Sequence, residues 1–255
     1  MTRLRRLRAE FTAERRSFLR RRTAVFFTFV FPLLIVLIFG VLVQTDGGGV
    51  GLFARPPAFY VPGYLAVVVL FTPLSRVGST VARHRDGARF EKLATTPLRR
   101  WEWLLAHATV NAAVIGLAAL LLFVLTLLLT GVAVAPAPAL LLLVPLVTLA
   151  TILFCGVGCV VGRVAGSQDG VIAASNALAL PLLFLSETFV AADQLPAWFR
   201  PAVGLSPLTY FARGVRALVD SGDPAVGVAL TNLAAVAALA VVAVAAGAAA
   251  VPRTD

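Results

Sequence analysis

The 255-residue sequence is 60% hydrophobic and only 13% charged, with a mean hydropathy of +0.93. Soluble domains run nearer half apolar and a quarter charged, so this composition argues against a water-soluble globular fold. The excess of 22 Lys and Arg over 12 Asp and Glu would point to nucleic acid in a soluble protein, but in a lipid-embedded chain its distribution decides orientation instead. Divided into spans of roughly 20 residues, the chain holds about six and leaves no stretch for an appended catalytic domain, which needs about 50 residues or more.

The expected architecture is an all-α integral membrane fold with six transmembrane helices, an N-terminal interfacial helix, and further short helices in one inner and one outer segment. Residues 1–23 form the interfacial helix, 24–251 the transmembrane domain and 252–255 a short tail. In the first segment, Leu4, Leu7, Phe11 and Phe18 recur at near-helical spacing, and Arg3, Arg5, Arg6, Arg8, Arg15 and Arg16 occupy mostly the remaining circumference. Such a helix lies in the inner headgroup plane, as a topology determinant bound to anionic lipid, as a docking surface for a cytoplasmic partner, or as both.

The first apolar run, Ala24 to Val43, is too long for a secretory signal and is followed by no small-residue cleavage site, so it reads as a retained anchor. The other runs are Phe59 to Ala82, Leu104 to Thr130, Ala139 to Gly162, Val171 to Val190 and Val226 to Val251. Six spans put both termini on one side. With that side cytoplasmic, the inner segments carry seventeen Lys and Arg and the outer segments four, which satisfies the positive-inside rule. Arg76, within the second span, is two turns from Arg83 and is expected to snorkel inward.

The inner loop 83–103, RHRDGARFEKLATTPLRRWEW, mixes charges of both signs. Orientation needs only the basic residues, so Asp86, Glu91 and Glu102 point to defined pairing or to a partner. Glu91, Lys92 and Leu93 favour a short helix that Pro97 stops, with a second helix beginning near Leu98. Trp101 and Trp103 are then expected at the membrane interface. Of the two histidines, His84 and His107, neither has the companions that a metal site or proton relay needs. Asn111 and Asn176 are expected to bond neighbouring helices.

In the fourth span, Gly158 and Gly162 form a GxxxG spacing that permits close helix approach. Cys155 and Cys159, four apart beside them, read as small packing residues, and no metal site is expected. Glu187, near the outer end of the fifth span, either reaches headgroup water or lines an exit path. The outer segment 191–225 intersperses Pro196, Pro201 and Pro207 with Trp198, Phe199, Tyr210 and Phe211. This pattern fits two short amphipathic helices dipping into the outer leaflet, or an aromatic belt that fixes depth.

Taken in order, Pro62 and Gly63, then Arg85, Gly87, Glu91, Leu93, Thr96, Pro97 and Leu98, then Leu185 and Ser186, then Leu195, Pro196, Trp198, Pro207, Leu208, Tyr210 and Arg216 carry a likeness along essentially the whole chain. The chain resembles the membrane-spanning permease subunits of ABC type-2 exporters, and among them the drug-resistance efflux permeases of actinobacteria. The resemblance implies a coupling helix in the inner loop, with Arg85, Asp86, Gly87, Glu91, Leu93, Thr96 and Pro97 on the ATPase-coupling surface, and two re-entrant outer helices. It also implies that this subunit pairs with a second copy or a paralogue and docks on two P-loop ATPase subunits. Glu187 departs from the resemblance, which leads one to expect a small or apolar residue there. Glu187, Trp198 and Tyr210 are the expected substrate-path or outer-gate residues.

No GxxxxGK[ST] loop occurs, and the only lysine, Lys92, follows Glu91, so the chain lacks the usual phosphate cradle. ATP and Mg are therefore expected on the partner subunit, with no cofactor bound by this chain and no nucleic acid as partner. Spans rich in Leu, Val, Ala and Phe suit a hydrophobic or amphipathic substrate, such as a drug, lipid-like molecule or secondary metabolite. The alternatives are a secondary transporter, for which midplane acids and an internal repeat are missing, and a non-transporting scaffold. Arg in place of Lys and the alanine-rich composition suggest a high-GC bacterium, and so a multi-pass protein of the plasma membrane with both termini cytoplasmic.

Overall fold

The computed structural model describes residues 11–12, 16, 20, 22–38, 55–96, 98–132, 134, 137–219 and 224–251. Leu4, Leu7 and Phe18 of the expected interfacial helix, Pro97 and the 252–255 tail lie outside the described residues. Phe11 is helical and half-buried. Among the described residues all regular structure is helical: α1 (Arg22–Leu37), α2 (Val61–Asp86), α3 (Arg89–Ala94), α4 (Arg100–Thr130), α5 (Leu143–Val164), α6 (Gln168–Phe184), α7 (Arg200–Val203), α8 (Pro207–Val219) and α9 (Val226–Ala250), with 3-10 turns at Pro57–Tyr60, Pro138–Leu142 and Ala192–Gln194.

Four helical stretches, Pro57–Asp86, Arg100–Thr130, Pro138–Val164 and Val226–Ala250, are long and apolar enough to cross a bilayer. The shortest has 25 residues, and at about 1.5 Å per residue it exceeds a hydrocarbon core of about 30 Å. The shorter apolar helices are α1, with 16 residues and Pro32 inside it, and α6, with 17. The chain is an all-α integral membrane protein.

Local chemistry sets the boundaries. Proline opens both 3-10 turns that lead into α2 and α5, where its missing N–H costs nothing. Ser167 caps α6 by accepting the Gly170 N–H at 3.0 Å. Gly131, at φ +65°, ends α4 in the left-handed region that glycine tolerates. The expected fifth span to Val190 stops short: α6 ends at Phe184, and the Ser186 hydroxyl donates to the Leu183 carbonyl at 3.1 Å, as does that of Thr188, so side chains replace the next helical turn.

Helix α2 is the centre of the molecule, packed on α4, α5, α6 and α8, and α5 is held in turn between α2 and α9. Small residues make both contacts possible. A Cβ built on Gly158 would lie 2.6 Å from the Leu74 carbonyl oxygen of α2, and Gly162 abuts Gly78, so the GxxxG spacing forms the α2–α5 contact. On the other face of α5, Gly156 meets Gly247 of α9, where an added Cβ would lie 2.7 Å from the Gly156 oxygen. Cys155 and Cys159 are buried, unpaired packing residues in this layer. The exterior of α4, α6 and α9 exposes Leu121, Leu128, Phe184, Val241 and Val242, an apolar surface suited to lipid.

Candidate functional site

Two polar constructions stand at opposite ends of α2. At its C-terminal end, the Gly87 N–H donates to the Arg83 carbonyl at 3.1 Å, and Ala88, at φ +49°, turns the chain back into α3. A non-glycine residue in this region is strained, so the turn is held by its surroundings. Phe90 supplies the anchor. It is buried against His84 and Trp103, with ring centroids 5.4 Å and 5.5 Å apart in edge-on geometry. Trp103 stacks in turn on His107, at 4.1 Å.

This arrangement corrects one expectation: Trp103 is 2% exposed inside the protein, and only Trp101, 38% exposed, sits at the surface. The helical offset explains it, because residues two apart on α4 point to nearly opposite sides and only one of them could meet Phe90. Glu102 is also buried and closes the start of α4 by accepting the Arg99 N–H at 2.9 Å.

The six described residues of the expected coupling surface divide by role. Arg85 is a brace: its guanidinium donates to the carbonyls of Gly166 at 2.9 Å, Ala165 at 3.3 Å and Arg163 at 3.4 Å, tying α2 to the connection between α5 and α6. Gly87 makes the turn. Asp86, 3.8 Å from Arg85, is exposed, and so are Glu91 and Lys92 on α3. Leu93 is half-buried, and Thr96 donates its hydroxyl to the Leu93 carbonyl at 2.7 Å. Thr95 does the same for Lys92, at 2.8 Å. These hydroxyls satisfy the last carbonyls of α3, which ends at Ala94, three residues before the proline expected to stop it.

At the other end, Glu187 is 8% exposed and paired in a two-pronged bond with Arg213 of α8, Nε to Oε2 at 2.8 Å and Nη2 to Oε1 at 2.5 Å. Hydrogen bonding to Glu187 raises the Arg213 pKa above its ordinary value. One turn on, Arg216 donates to the Glu187 carbonyl at 2.6 Å and lies 4.1 Å from the centroid of the Phe59 ring. A salt bridge between Arg55 and Asp193 adds a further tie across the same end. Gly63 completes the seam, since a Cβ there would meet Phe189 at 2.8 Å and the Thr188 oxygen at 2.9 Å. The segments before α2, after α6 and along α8 are thus clamped together.

Trp198 is 80% exposed and stands apart from this clamp, whereas Tyr210 donates its hydroxyl to the Gly204 carbonyl at 2.8 Å and fixes the turn between α7 and α8. The two expected outer helices are a single turn, α7, and the 13-residue α8. The apolar face of α8, with Leu208, Phe211, Val215 and Leu218, is buried against the protein, chiefly α9 and α2. Within the bundle, Arg76 donates to Asn111 Oδ1 at 3.3 Å across the α2–α4 contact, so its neighbour is an amide on the adjacent helix; Asn176 is exposed. Among the described residues no group of three or more His, Cys, Asp or Glu could hold a metal ion.

Sequence reasoning missed Phe90 and Arg213. The signal for Phe90 was an aromatic residue set between the charged Arg89 and Glu91; for Arg213 it was the i, i+3 spacing with Arg216 on a strongly amphipathic segment. Residues 5–219 match the model of a family described as ABC-2 type transporter. No curated protein matches the chain.

Proposed function

The chain belongs to the ABC-2 type transporter family, and on that premise we propose that it is an exporter subunit, moving a hydrophobic or amphipathic substrate such as a drug, lipid-like molecule or secondary metabolite outward across a bacterial plasma membrane. The family makes it a membrane permease of an ABC transporter and implies an ABC ATPase as partner in general. In the proposed assembly a second copy or a paralogue pairs with this chain, and two ATPase subunits dock at the α3 end and hold ATP and Mg. That end is cytoplasmic, as are both termini. The interfacial segment 1–23 adds Leu4, Leu7, Phe11 and Phe18 to the inner membrane surface.

One observation carries this reading. Helix α3 exposes Glu91 and Lys92 while Phe90 is locked under it, so a push on the charged face is delivered to α2 and α4, to which α3 is joined by short connections. Arg85 passes the shift on to the α5–α6 connection. Asp86, Gly87, Leu93, Thr96 and Pro97 complete the coupling surface. At the far end of α2 the same movement loads the Gly63 seam and the Glu187–Arg213 clamp, which acts as the outer gate, with Trp198 and Tyr210 beside the exit. Coupling of this kind needs two discrete arrangements of the packed elements.

Reversing the charge at Glu91 tests the assignment. Glu91 is exposed, so Glu91→Arg leaves insertion and folding intact. Transport by the reconstituted complex should fall at least tenfold relative to ATP hydrolysis. Unchanged transport per ATP would overturn the coupling role.

A further inference from the structure

Helix α2 changes character halfway along. From Val61 to Leu70 every residue is buried, whereas from Thr72 to Arg85 the half-exposed residues are Thr72, Ser75, Arg76, Ser79, Arg83 and Arg85, all polar, and those between them are buried. Steps of three and four residues put Thr72, Ser75, Arg76, Ser79 and Arg83 on one face. Leu74, whose carbonyl meets Gly158 of α5, lies on the opposite side. Three of these side chains also differ from other hydroxyls of the bundle. Thr109, Thr126 and Thr151 donate to the carbonyl four residues back, at 2.7, 2.7 and 2.8 Å, which satisfies a hydroxyl inside hydrocarbon. Among the described residues no hydrogen bond of this kind is formed by Thr72, Ser75 or Ser79.

What a half-exposed polar face within a membrane span meets follows from what cannot satisfy it. Acyl chains cannot, and where α4 and α9 face lipid they expose Leu121, Leu128, Val241 and Val242 instead. A second copy of α2 packed across a two-fold axis would set Arg76 against Arg76, like charges at close range in a low dielectric. Water satisfies the face, and so does a solute rich in oxygen. We propose that the inner half of α2 lines a water-accessible entry path that ends where the helix becomes buried at Leu70, and that Thr72, Ser75 and Ser79 bind the hydroxyl- or carbonyl-rich head of an amphipathic substrate. Each hydroxyl both donates and accepts, so a row of them spread over about 10 Å of helix suits an uncharged head carrying several oxygens, such as a sugar or polyol. Arg76, which donates to Asn111 Oδ1 at 3.3 Å, belongs to the wall of the path. This narrows the substrate class of the exporter reading and rests on that reading for the direction of entry.

Thiol labelling in native membranes tests both parts. Ser75→Cys, Ser79→Cys and, as the lipid-facing control, Leu121→Cys are made separately in the full chain; Cys155 and Cys159 are buried, so the unaltered chain supplies the background. An anionic, membrane-impermeant thiosulfonate is added to inside-out or right-side-out vesicles without nucleotide. Only a thiol that reaches water ionises and reacts, so in inside-out vesicles Ser75→Cys and Ser79→Cys should be labelled on the order of tenfold faster than Leu121→Cys. Octyl glucoside, below its solubilising concentration, should slow labelling of Ser79→Cys several-fold; octyltrimethylammonium, with the same chain and a head that forms no hydrogen bonds, should not. Adding Thr72→Val and Ser75→Ala to Ser79→Cys should remove the protection and leave the labelling. Rates no faster than at Leu121→Cys, or faster labelling in right-side-out vesicles, would overturn the entry path. Equal protection by the two amphiphiles, protection by neither, or protection that survives Thr72→Val with Ser75→Ala would overturn the recognition of a polar head. Labelling needs no ATPase, so its failure leaves the exporter reading standing, and loss of coupling in Glu91→Arg leaves the labelling pattern untouched.

Discussion

At the scale of single residues, the two kinds of small-side-chain position are distinguishable by what surrounds them. Gly158 and Gly162 lie against backbone of α2 that cannot move aside, whereas Gly116, on α4, has open space where a Cβ would go. Gly158→Leu should therefore part α2 from α5 and lower thermal stability in mild detergent by about 3 kcal/mol or more, while Gly116→Ala should be neutral or slightly stabilising. Equal effects of the two would show that the α2–α5 contact is looser than described. Glu187 is a second case. Its carboxylate is nearly buried but Arg213 is 44% exposed, so solvent weakens the pair. Removing the carboxylate in Glu187→Gln is expected to cost about 1–2 kcal/mol, well under the loss for a fully buried pair. A double-mutant cycle with Arg213→Gln measures the coupling; a coupling near zero would remove the ion pair from the clamp.

At the scale of elements, hydropathy and charge made most of the helices legible. The runs ending at Ala82, Thr130, Gly162 and Val251 lie within four residues of the ends of α2, α4, α5 and α9, because a lipid-facing helix needs a continuous apolar stretch and polar residues mark its limits. The miss at α6 has a specific cause. Hydropathy continues through Val190, but Ser186 and Thr188 turn their hydroxyls onto Leu183 and end the helix, a local competition that an average over 19 residues does not register. The burial of Trp103 was equally hidden, since it depends on Phe90 arriving from α3. That contact gives the anchor of α3 a direct test. Phe90→Ala should empty a site enclosed by His84 and Trp103, at a cost of about 3 kcal/mol confined to α3, and protease cleavage between 87 and 99 should accelerate while the spans stay protected. Unchanged cleavage there would mean that α3 is held by something other than Phe90.

At the scale of the whole molecule, the chain is a bundle around α2 whose two ends are built differently. One end offers a charged helix on an aromatic anchor; the other is drawn shut by Glu187, Arg213 and Arg216. The candidate site was legible in the sequence as far as the mixed charges of 83–103 and the lone acid at Glu187, for those residue types have no role in simple anchoring. The brace from Arg85 and the partners of Glu187 were not, because they join residues 81 and 26 positions apart, and a distance of that kind leaves no periodic trace. Membership of the ABC-2 type transporter family places the chain among membrane permeases of ABC transporters and implies an ABC ATPase partner in general. The most direct test is to purify the tagged chain in mild detergent from its native membrane, with Glu91→Arg in parallel, and to assay the co-purifying subunits for ATP turnover. Recovery of an ATPase carrying a GxxxxGK[ST] loop with the unaltered chain, with retention or ATP-driven transport impaired by Glu91→Arg, is the predicted result. Repeated recovery of the intact chain with no such ATPase would contradict it.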